Sequence, residues 1–162
     1  MNNPLWTFSV YRYQQPGVAE ACLEAQDYCG ADVNLLFYAA WLASQQQALT
    51  LAQWPQLAAL VAPWRQRVVE PLRTLRRDWR DLPGAQSLRR ELQALELAAE
   101  ESQQASIWAW HERSAQLAPA TEWEAGLLAA LDYLMPPDGI GSVQRKALLE
   151  RLSALFGGPG VA

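Results

Sequence analysis

The sequence predicts an all-α protein, an irregular bundle of six to seven helices around a buried central helix at about residues 32–48. Hydrophobic residues make up 51% of the 162 positions. Alanine and leucine dominate them and β-branched residues are scarce, which favours helix over sheet. The nine consecutive residues Leu35–Ala43 are apolar or aromatic, and a helix that is apolar on every side has to be buried. Residues 86–117 contain neither proline nor glycine, which predicts one long helix.

The length of the chain fits a single domain. We expect one helical domain over residues 1–157 and a disordered tail over residues 158–162. The longest apolar run is too short to span a bilayer, and the start MNNPLWTFSV lacks the features of a signal peptide. Cys22 and Cys29 fall on one predicted helix, about 10 Å apart along its axis, which is too far for a disulfide. These features predict a cytoplasmic protein with reduced thiols and no membrane contact.

The first half of the chain contains clear signals for helix ends. Asn3 followed by Pro4 predicts the start of a first helix, although the aromatic-rich run that follows is also compatible with a strand. The sequence Gln15-Pro16-Gly17 ends that element and opens a second helix, which stops near Gly30. Asp32 is placed to cap the central helix.

The rest of the chain predicts five further helical segments. Recurring prolines are compatible with two or three helices over 56–82 or with one helix kinked at prolines. We favour a helix at about 56–62 and a second at about 64–81 that bends at Pro71. On the long helix, four residues have a coiled-coil-like spacing that predicts its packing face, namely Leu88, Leu92, Leu95 and Ala99. Two more helices are expected, one beginning at Thr121 and a last one from Val143 to Phe156.

Four segments carry a resemblance to a known family: LWTFSVYRY, PGVAEACLEAQD, DVNLLFYAAWLA and PWRQRVVEPLRTLRR. With its DVNLLxF and PLRxLRR-type motifs, the chain resembles an uncharacterised family of conserved hypothetical proteins of gamma-proteobacteria, a domain of unknown function. The resemblance spans about residues 5–80. It implies a bacterial, cytoplasmic, helical protein and supplies no activity, cofactor or catalytic residue.

Charge is distributed unevenly along the chain. The formal net charge is −4, yet residues 63–90 contain eight arginines against three acidic residues. At helical spacing, four of these arginines share an arc beside an apolar arc that contains two tryptophans; the six residues are Arg73, Arg76, Arg77, Arg80, Trp64 and Trp79. A guanidinium group binds carboxylate or phosphate through two parallel hydrogen bonds. The sequence therefore predicts a binding surface for anionic groups on this helix.

The principal hypothesis is a non-catalytic interaction or regulatory protein that binds an acidic protein partner through this Arg/Trp surface, since arginine and tryptophan are frequent interface anchors. Two other interpretations remain open. The arginines could form an internal salt-bridge network with acidic helices, or they could bind phosphate or nucleic acid, which the acidic overall balance disfavours. Association of identical chains is also open.

The alternative hypothesis is a ligand-binding or enzymatic helical protein with an apolar pocket. Glu20, Glu24 and Asp27 share one stripe of the second helix and would stand at the pocket mouth with His111 nearby. The same stripe is also typical of a solvent-exposed acidic helix face, so this interpretation stays open. A single histidine excludes the paired Glu-x-x-His motifs of di-metal bundles, and His111 has no nucleophile motif to join it. We therefore expect no catalytic residues, no metal and no cofactor.

Overall fold

A computed structural model describes residues 3–157 of the chain, and it confirms the all-α prediction. The predicted tail at 158–162 lies outside the described residues. Within residues 3–157 the only extended pairing is an isolated bridge between Leu49 and Leu117. The helices are α1 Pro4–Tyr13, α2 Val18–Cys29, α3 Val33–Ser44, α4 Gln53–Trp64, α5 Glu70–Asp78, α6 Gln86–Ser114, α7 Trp123–Leu134 and α8 Ser142–Gly157.

The predicted starts of α1 and α3 and the predicted end of α2 are confirmed. The side chain of Asn3 accepts hydrogen bonds from two backbone N–H groups of the first turn of α1, so this element is a helix and the strand alternative is wrong. Gly30 ends α2 with φ of +64°, a left-handed conformation that favours glycine. Asp32 accepts a hydrogen bond from the backbone N–H of Asn34 at 3.0 Å, which satisfies one of the free donors at the start of α3.

α3 is the buried centre of the bundle, as the apolar run predicts. Of the residues from Leu35 to Ala43, only Trp41 is half-buried and the others are buried. α1, α2, α6, α7 and α8 all pack against this helix. It ends at Ser44 rather than near residue 48, because Gln46 adopts φ of +53° and turns the chain. No helix within residues 3–157 has both the length and the hydrophobicity needed to cross a membrane.

The proline-rich segment forms one continuous helix rather than the two predicted ones. Helical structure runs without interruption from Gln53 to Asp78, and Arg65–Val69 between α4 and α5 form a π-helical turn. Pro71 has no N–H to donate, and its ring crowds the carbonyl four residues earlier. The wider π-turn accommodates this locally. With α4, the π-turn and α5 counted as one rod, residues 3–157 form seven helices.

α5 and the first half of α6 form an antiparallel pair, here called the α5–α6 hairpin. α6 has 29 residues and is about 43 Å long at ~1.5 Å per residue. Leu92 and Ala99 of the predicted packing face are buried, but Leu88 and Leu95 are each 57% exposed. The inward face of α6 instead includes Glu96, which is 6% exposed. The hairpin is rotated in this way because α5 presents arginines to Glu96.

Candidate functional site

A cleft of about 420 Å³ opens between α1, α2, α3 and the α5–α6 hairpin. Its floor consists of buried residues from four helices: Ser9, Cys22, Asn34, Phe37 and Gln104. Its rim is apolar and partly exposed, formed by Trp6, Val10, Tyr13, Leu23 and Leu97. One end carries charged side chains from the hairpin. The cleft therefore combines an apolar body with polar groups that converge on it.

The floor of the cleft contains a chain of hydrogen bonds between three helices. The hydroxyl of Ser9 on α1 donates to Gln104 Oε1 on α6 at 3.0 Å. Gln104 Nε2 in turn donates to Asn34 Oδ1 on α3 at 2.9 Å. Asn34 is only 7% exposed, and its Nδ2 amino group forms no hydrogen bond with any residue of the described range. This group is left as a free donor that faces the cleft.

The charged end of the cleft is an ion-pair network between α5 and α6. Arg73 Nε lies 3.3 Å from Glu96 Oε1, and Arg73 Nη2 lies 3.1 Å from Glu100 Oε1. Arg76 pairs with both oxygens of Glu96. The hydrogen bond to Glu96 raises the pKa of Arg76, which keeps its charge fixed. Burial raises the pKa of Glu100 despite the opposing effect of Arg73.

The four arginines predicted to form one surface are divided between two environments. Arg73 and Arg76 face the cleft and are paired with acidic residues of α6, so for these two the internal-network interpretation describes the structure. Arg77 pairs with Asp27 at 2.9 Å in an exposed position. Arg80 is exposed and forms no ion pair within residues 3–157. The predicted surface is therefore reduced to its outer half.

The two tryptophans assigned to the same surface lie beside the hairpin. Trp64 Nε1 donates to the backbone carbonyl of Ala99 at 2.9 Å, which ties α4 to α6. Trp64 nevertheless remains 42% exposed. Trp79 is half-buried just after α5 ends. Trp64 therefore has a structural role, and both tryptophans leave part of their side chains accessible.

The residues predicted for a pocket mouth are not brought together. Glu20 is exposed, and Glu24 pairs with Arg151 of α8 at 2.7 Å. Asp27 pairs with Arg77. None of the three lines the cleft, whose carboxylates come from Glu96 and Glu100 of α6. The second-helix stripe thus serves to tie α2 to its neighbours.

His111 lies in an aromatic cluster away from the cleft. Its Nδ1 is 2.8 Å from the hydroxyl of Tyr38, and its ring centroid is 5.1 Å from those of both Trp41 and Trp108. Burial lowers the pKa of His111, although Glu112 opposes this effect. Within the described range no three His, Cys, Asp or Glu side chains are grouped for metal binding. His111 therefore acts as a packing residue with one hydrogen bond.

The sequence interpretation missed the polar residues of α6 that shape the cleft. A signal for them was present, because the inward positions of α6 repeat every three or four residues and some of them are polar. Those positions are Leu92, Glu96, Ala99, Gln103, Ile107 and Trp110. A buried carboxylate or amide needs a hydrogen-bonding or ion-pair partner. Polar residues at these inward positions therefore predict that a neighbouring helix, such as α5 or α3, supplies matching polar side chains.

The fold and the cleft define this protein as an all-helical domain with an interhelical cleft of ligand size. The family model described as "Protein of unknown function (DUF2390)" matches residues 4–107, so the chain belongs to this family, which confirms the resemblance to an uncharacterised family. The match covers every residue that lines the cleft and ends within α6, before α7 and α8. Comparison with curated proteins and with solved structures finds no match.

Proposed function

We propose that this protein is a non-catalytic binding protein that holds a small organic ligand in the cleft between α1, α2, α3 and the α5–α6 hairpin. The observation that carries the proposal is the cleft itself, whose volume of about 420 Å³ lies within the range of ligand pockets, roughly 300–1,000 Å³. Its apolar rim and the few polar groups that converge on it are also typical of ligand sites.

The chemical state of the cleft residues supports binding rather than catalysis. Both oxygens of Glu96 accept hydrogen bonds from arginines, and the residue is 6% exposed, so this carboxylate is held in an internal ion pair. Burial raises the pKa of Cys22 to about 12, and a protonated, buried thiol is a poor nucleophile. Burial also raises the pKa of Tyr13. Neither Cys22 nor Tyr13 is therefore poised for proton transfer near neutral pH.

The proposal is tested by filling the cleft from its rim. Leu97 is 54% exposed and lines the cleft, so Leu97→Trp adds bulk there without removing a buried contact. Leu95, on the same helix and 57% exposed, does not line the cleft, so Leu95→Trp is the matched control. The probe is 1-anilinonaphthalene-8-sulfonate, and its fluorescence reports binding.

We expect Leu97→Trp to weaken binding of the naphthalene sulfonate by about tenfold or more, because the pocket volume is lost. Leu95→Trp should bind as the wild type does. Absence of binding to the wild type, or equal loss in both variants, would contradict a ligand site in this cleft.

A second candidate function is the binding of an acidic protein partner through the outer side of α5. Arg77 and Arg80 remain exposed there, and the nearby Leu75 and Leu82 are 41% and 50% exposed. Apolar side chains next to exposed arginines favour an interface. No comparable observation favours nucleic-acid binding, which stays a prediction from the arginine count.

The partner hypothesis is tested by affinity purification from the cells that make the protein. Arg77→Ala/Arg80→Ala removes two charges from α5. Arg113→Ala/Lys146→Ala removes two exposed charges from α6 and α8 and serves as the control. We expect one co-purifying acidic protein to be lost from the first variant alone. Equal recovery with both variants would remove this candidate.

We also propose that the protein works in the bacterial cytoplasm. Cys22 and Cys29 are free and buried, which fits a reducing compartment where thiols stay unpaired. The resemblance to a gamma-proteobacterial family supports a bacterial source. Localisation of a tagged full-length chain by cell fractionation tests this: recovery with periplasmic or membrane fractions would contradict it.

A further inference from the structure

The charged end of the cleft has more hydrogen-bond donors than acceptors. A guanidinium group has five N–H donors. The contacts with Glu96 and Glu100 engage the Nε and Nη2 atoms of Arg73 and of Arg76. The Nη1 group of each arginine is left over. The side chains of Arg73 and Arg76 are 13% and 21% exposed, and both line the cleft, so a ligand in the cleft can reach these groups.

The acceptors at the same end are almost used up. Glu96 Oε1 accepts from both arginines, and Glu96 Oε2 accepts from Arg76. Glu100 accepts from Arg73 through Oε1, which leaves its Oε2 free within the described range. The two carboxylates balance the charges of the two guanidiniums, so the free hydrogen-bonding groups decide the ligand, and a cationic ligand would find mainly Glu100 Oε2. An anionic ligand would find several free N–H groups.

The floor of the cleft adds another donor. Asn34 Oδ1 is occupied by Gln104, and the free Nδ2 group of Asn34 belongs to a side chain that is more than nine-tenths buried. This amino group is not among the fully buried atoms that lack a partner within residues 3–157, so it reaches solvent, where a ligand oxygen can replace water. The free donors at the charged end and on the floor thus favour the same kind of ligand atom, an acceptor oxygen.

The rim indicates what the rest of the ligand is made of. Val10, Tyr13 and Leu23 are 41–42% exposed and Leu97 is 54% exposed, and all four border the same opening. Phe37 lies buried beneath them. Covering such apolar surface is favourable in proportion to the area removed from water. The rim therefore fits an aliphatic or aromatic body.

We infer that the ligand of this cleft is an amphiphilic carboxylate, with its anionic group at Arg73 and Arg76 and its apolar body under the rim. This inference rests on the proposed binding function and specifies the ligand class. The carboxylate oxygens accept from the free N–H groups of the two guanidiniums. The hydrocarbon body lies against Val10, Phe37 and Leu97.

The first experiment compares three probes of equal chain length: decanoate, decan-1-ol and decan-1-amine, each below its aggregation concentration. Isothermal titration calorimetry with the full chain measures the affinities. We expect decanoate to bind about tenfold to a hundredfold more tightly than the alcohol or the amine, as befits charge-assisted hydrogen bonds. Equal or tighter binding of the amine or the alcohol would overturn the carboxylate assignment while leaving the cleft as a ligand site.

The second experiment changes the charge at the rim without removing any contact described above. Gln93 is exposed and borders the cleft, whereas its neighbour Ala94 is exposed and does not. Gln93→Glu should weaken decanoate binding by about threefold to tenfold through charge repulsion. Ala94→Glu, with the same change in net charge, should leave it unchanged.

The outcomes separate the two claims. If Gln93→Glu strengthens decanoate binding or leaves it unchanged, the anionic group does not lie at this end and the ligand class is wrong. If none of the four probes (decanoate, decan-1-ol, decan-1-amine and the naphthalene sulfonate) binds the wild type, both the proposed ligand class and the proposed binding function are wrong.

Discussion

The two sides of α3 differ in how they are held. Towards α7 and α8 the contacts are apolar, with Leu131, Leu148 and Phe156 fully buried. Towards α6 the helix presents Asp32, Asn34 and Tyr38, and each is hydrogen-bonded to one residue of α6. Stability on the apolar side depends on filled volume, whereas on the polar side it depends on matched donors and acceptors. The cleft of about 420 Å³ lies on the polar side.

The largest expected effect is on the apolar side. Phe156 is fully buried, and its ring centroid is 6.2 Å from that of Phe37. Phe156→Ala should lower the free energy of unfolding by about 3–5 kcal/mol, because it removes a large side chain and leaves a cavity. Leu128→Ala, at a position that is 53% exposed, is the control and should cost far less. Urea titration measures both, and similar losses would show that the α7–α8 side is not closely packed.

A substitution at Asp32 tests whether the polar side depends on matched partners. Asp32 caps α3 and accepts from Gln103 Nε2 at 2.6 Å. Asp32→Ala removes both acceptors, so unfolding free energy should fall by about 2–4 kcal/mol. Asp32→Asn should lower the free energy of unfolding by less than about 1 kcal/mol. The side-chain oxygen of the asparagine can still accept from the N–H of Asn34. Its NH₂ group can donate to Gln103 Oε1 once the side-chain amide of Gln103 has rotated. Gln103 Oε1 is buried and has no hydrogen-bond partner within residues 3–157.

Denaturant titration of the two Asp32 variants distinguishes the explanations. Equal losses for Asp32→Ala and Asp32→Asn would indicate that the negative charge, and not the pattern of donors and acceptors, stabilises this contact.

Removing the hydrogen bond between Tyr38 and His111 should have a smaller effect on stability, and NMR can follow its effect on the histidine. Tyr38→Phe should lower the free energy of unfolding by about 0.5–1.5 kcal/mol. The donor in this bond depends on the tautomer of His111. Donation by the hydroxyl holds the imidazole neutral, so a rise of the pKa of His111 in the variant would identify the hydroxyl as the donor. The chain has one histidine, and an NMR titration of its ring protons follows this pKa directly. A pKa that stays constant or falls would mean that the bond does not hold the neutral form.

The smallest expected effect is a pH dependence at the cleft. Burial raises the pKa of Glu100 above its ordinary value of 4.5, with Glu96 and Asp32 acting in the same direction and Arg73 against it. A carboxyl with a raised pKa in the folded state contributes stability below pH 4.5 that is lost as pH rises through the folded pKa. The wild type should therefore lose stability relative to Glu100→Gln between pH 4 and pH 7.

Thermal unfolding of both proteins across this pH range measures the difference. A wild type that gains stability relative to Glu100→Gln as pH rises would show that the ion pair with Arg73 outweighs burial.

The sequence predicted those features that depend on neighbouring residues. The apolar run from Leu35 identified the central helix, and Asp32 and Gly30 marked helix ends, because caps and periodicity are local. The shared arc of Arg73, Arg76, Arg77 and Arg80 also followed from helical spacing, but α5 ends at Asp78, and the pairing of Arg73 and Arg76 with α6 divides the four arginines.

Features that depend on contacts between distant helices were not predicted. Which arginines are exposed depends on how α6 is rotated against α5, and that rotation is set by Glu96. The cleft requires Ser9, Asn34 and Gln104 to meet from three helices, and no spacing within one helix encodes this meeting. The π-turn before Pro71 was missed because the same proline is compatible with a bend or with a local widening.

The most direct test of the ligand site is a two-dimensional NMR titration of the full chain with decanoate. Trp6 borders the cleft, and its indole N–H, together with the side-chain amides of Asn34 and Gln104, should shift in a saturable manner. The indole N–H of Trp79 and the methyl groups of Leu88, on the outer side of the hairpin, should not move. Saturable shifts confined to Trp79 and Leu88, or no saturable shift at Trp6 and Asn34, would contradict a ligand site in the cleft.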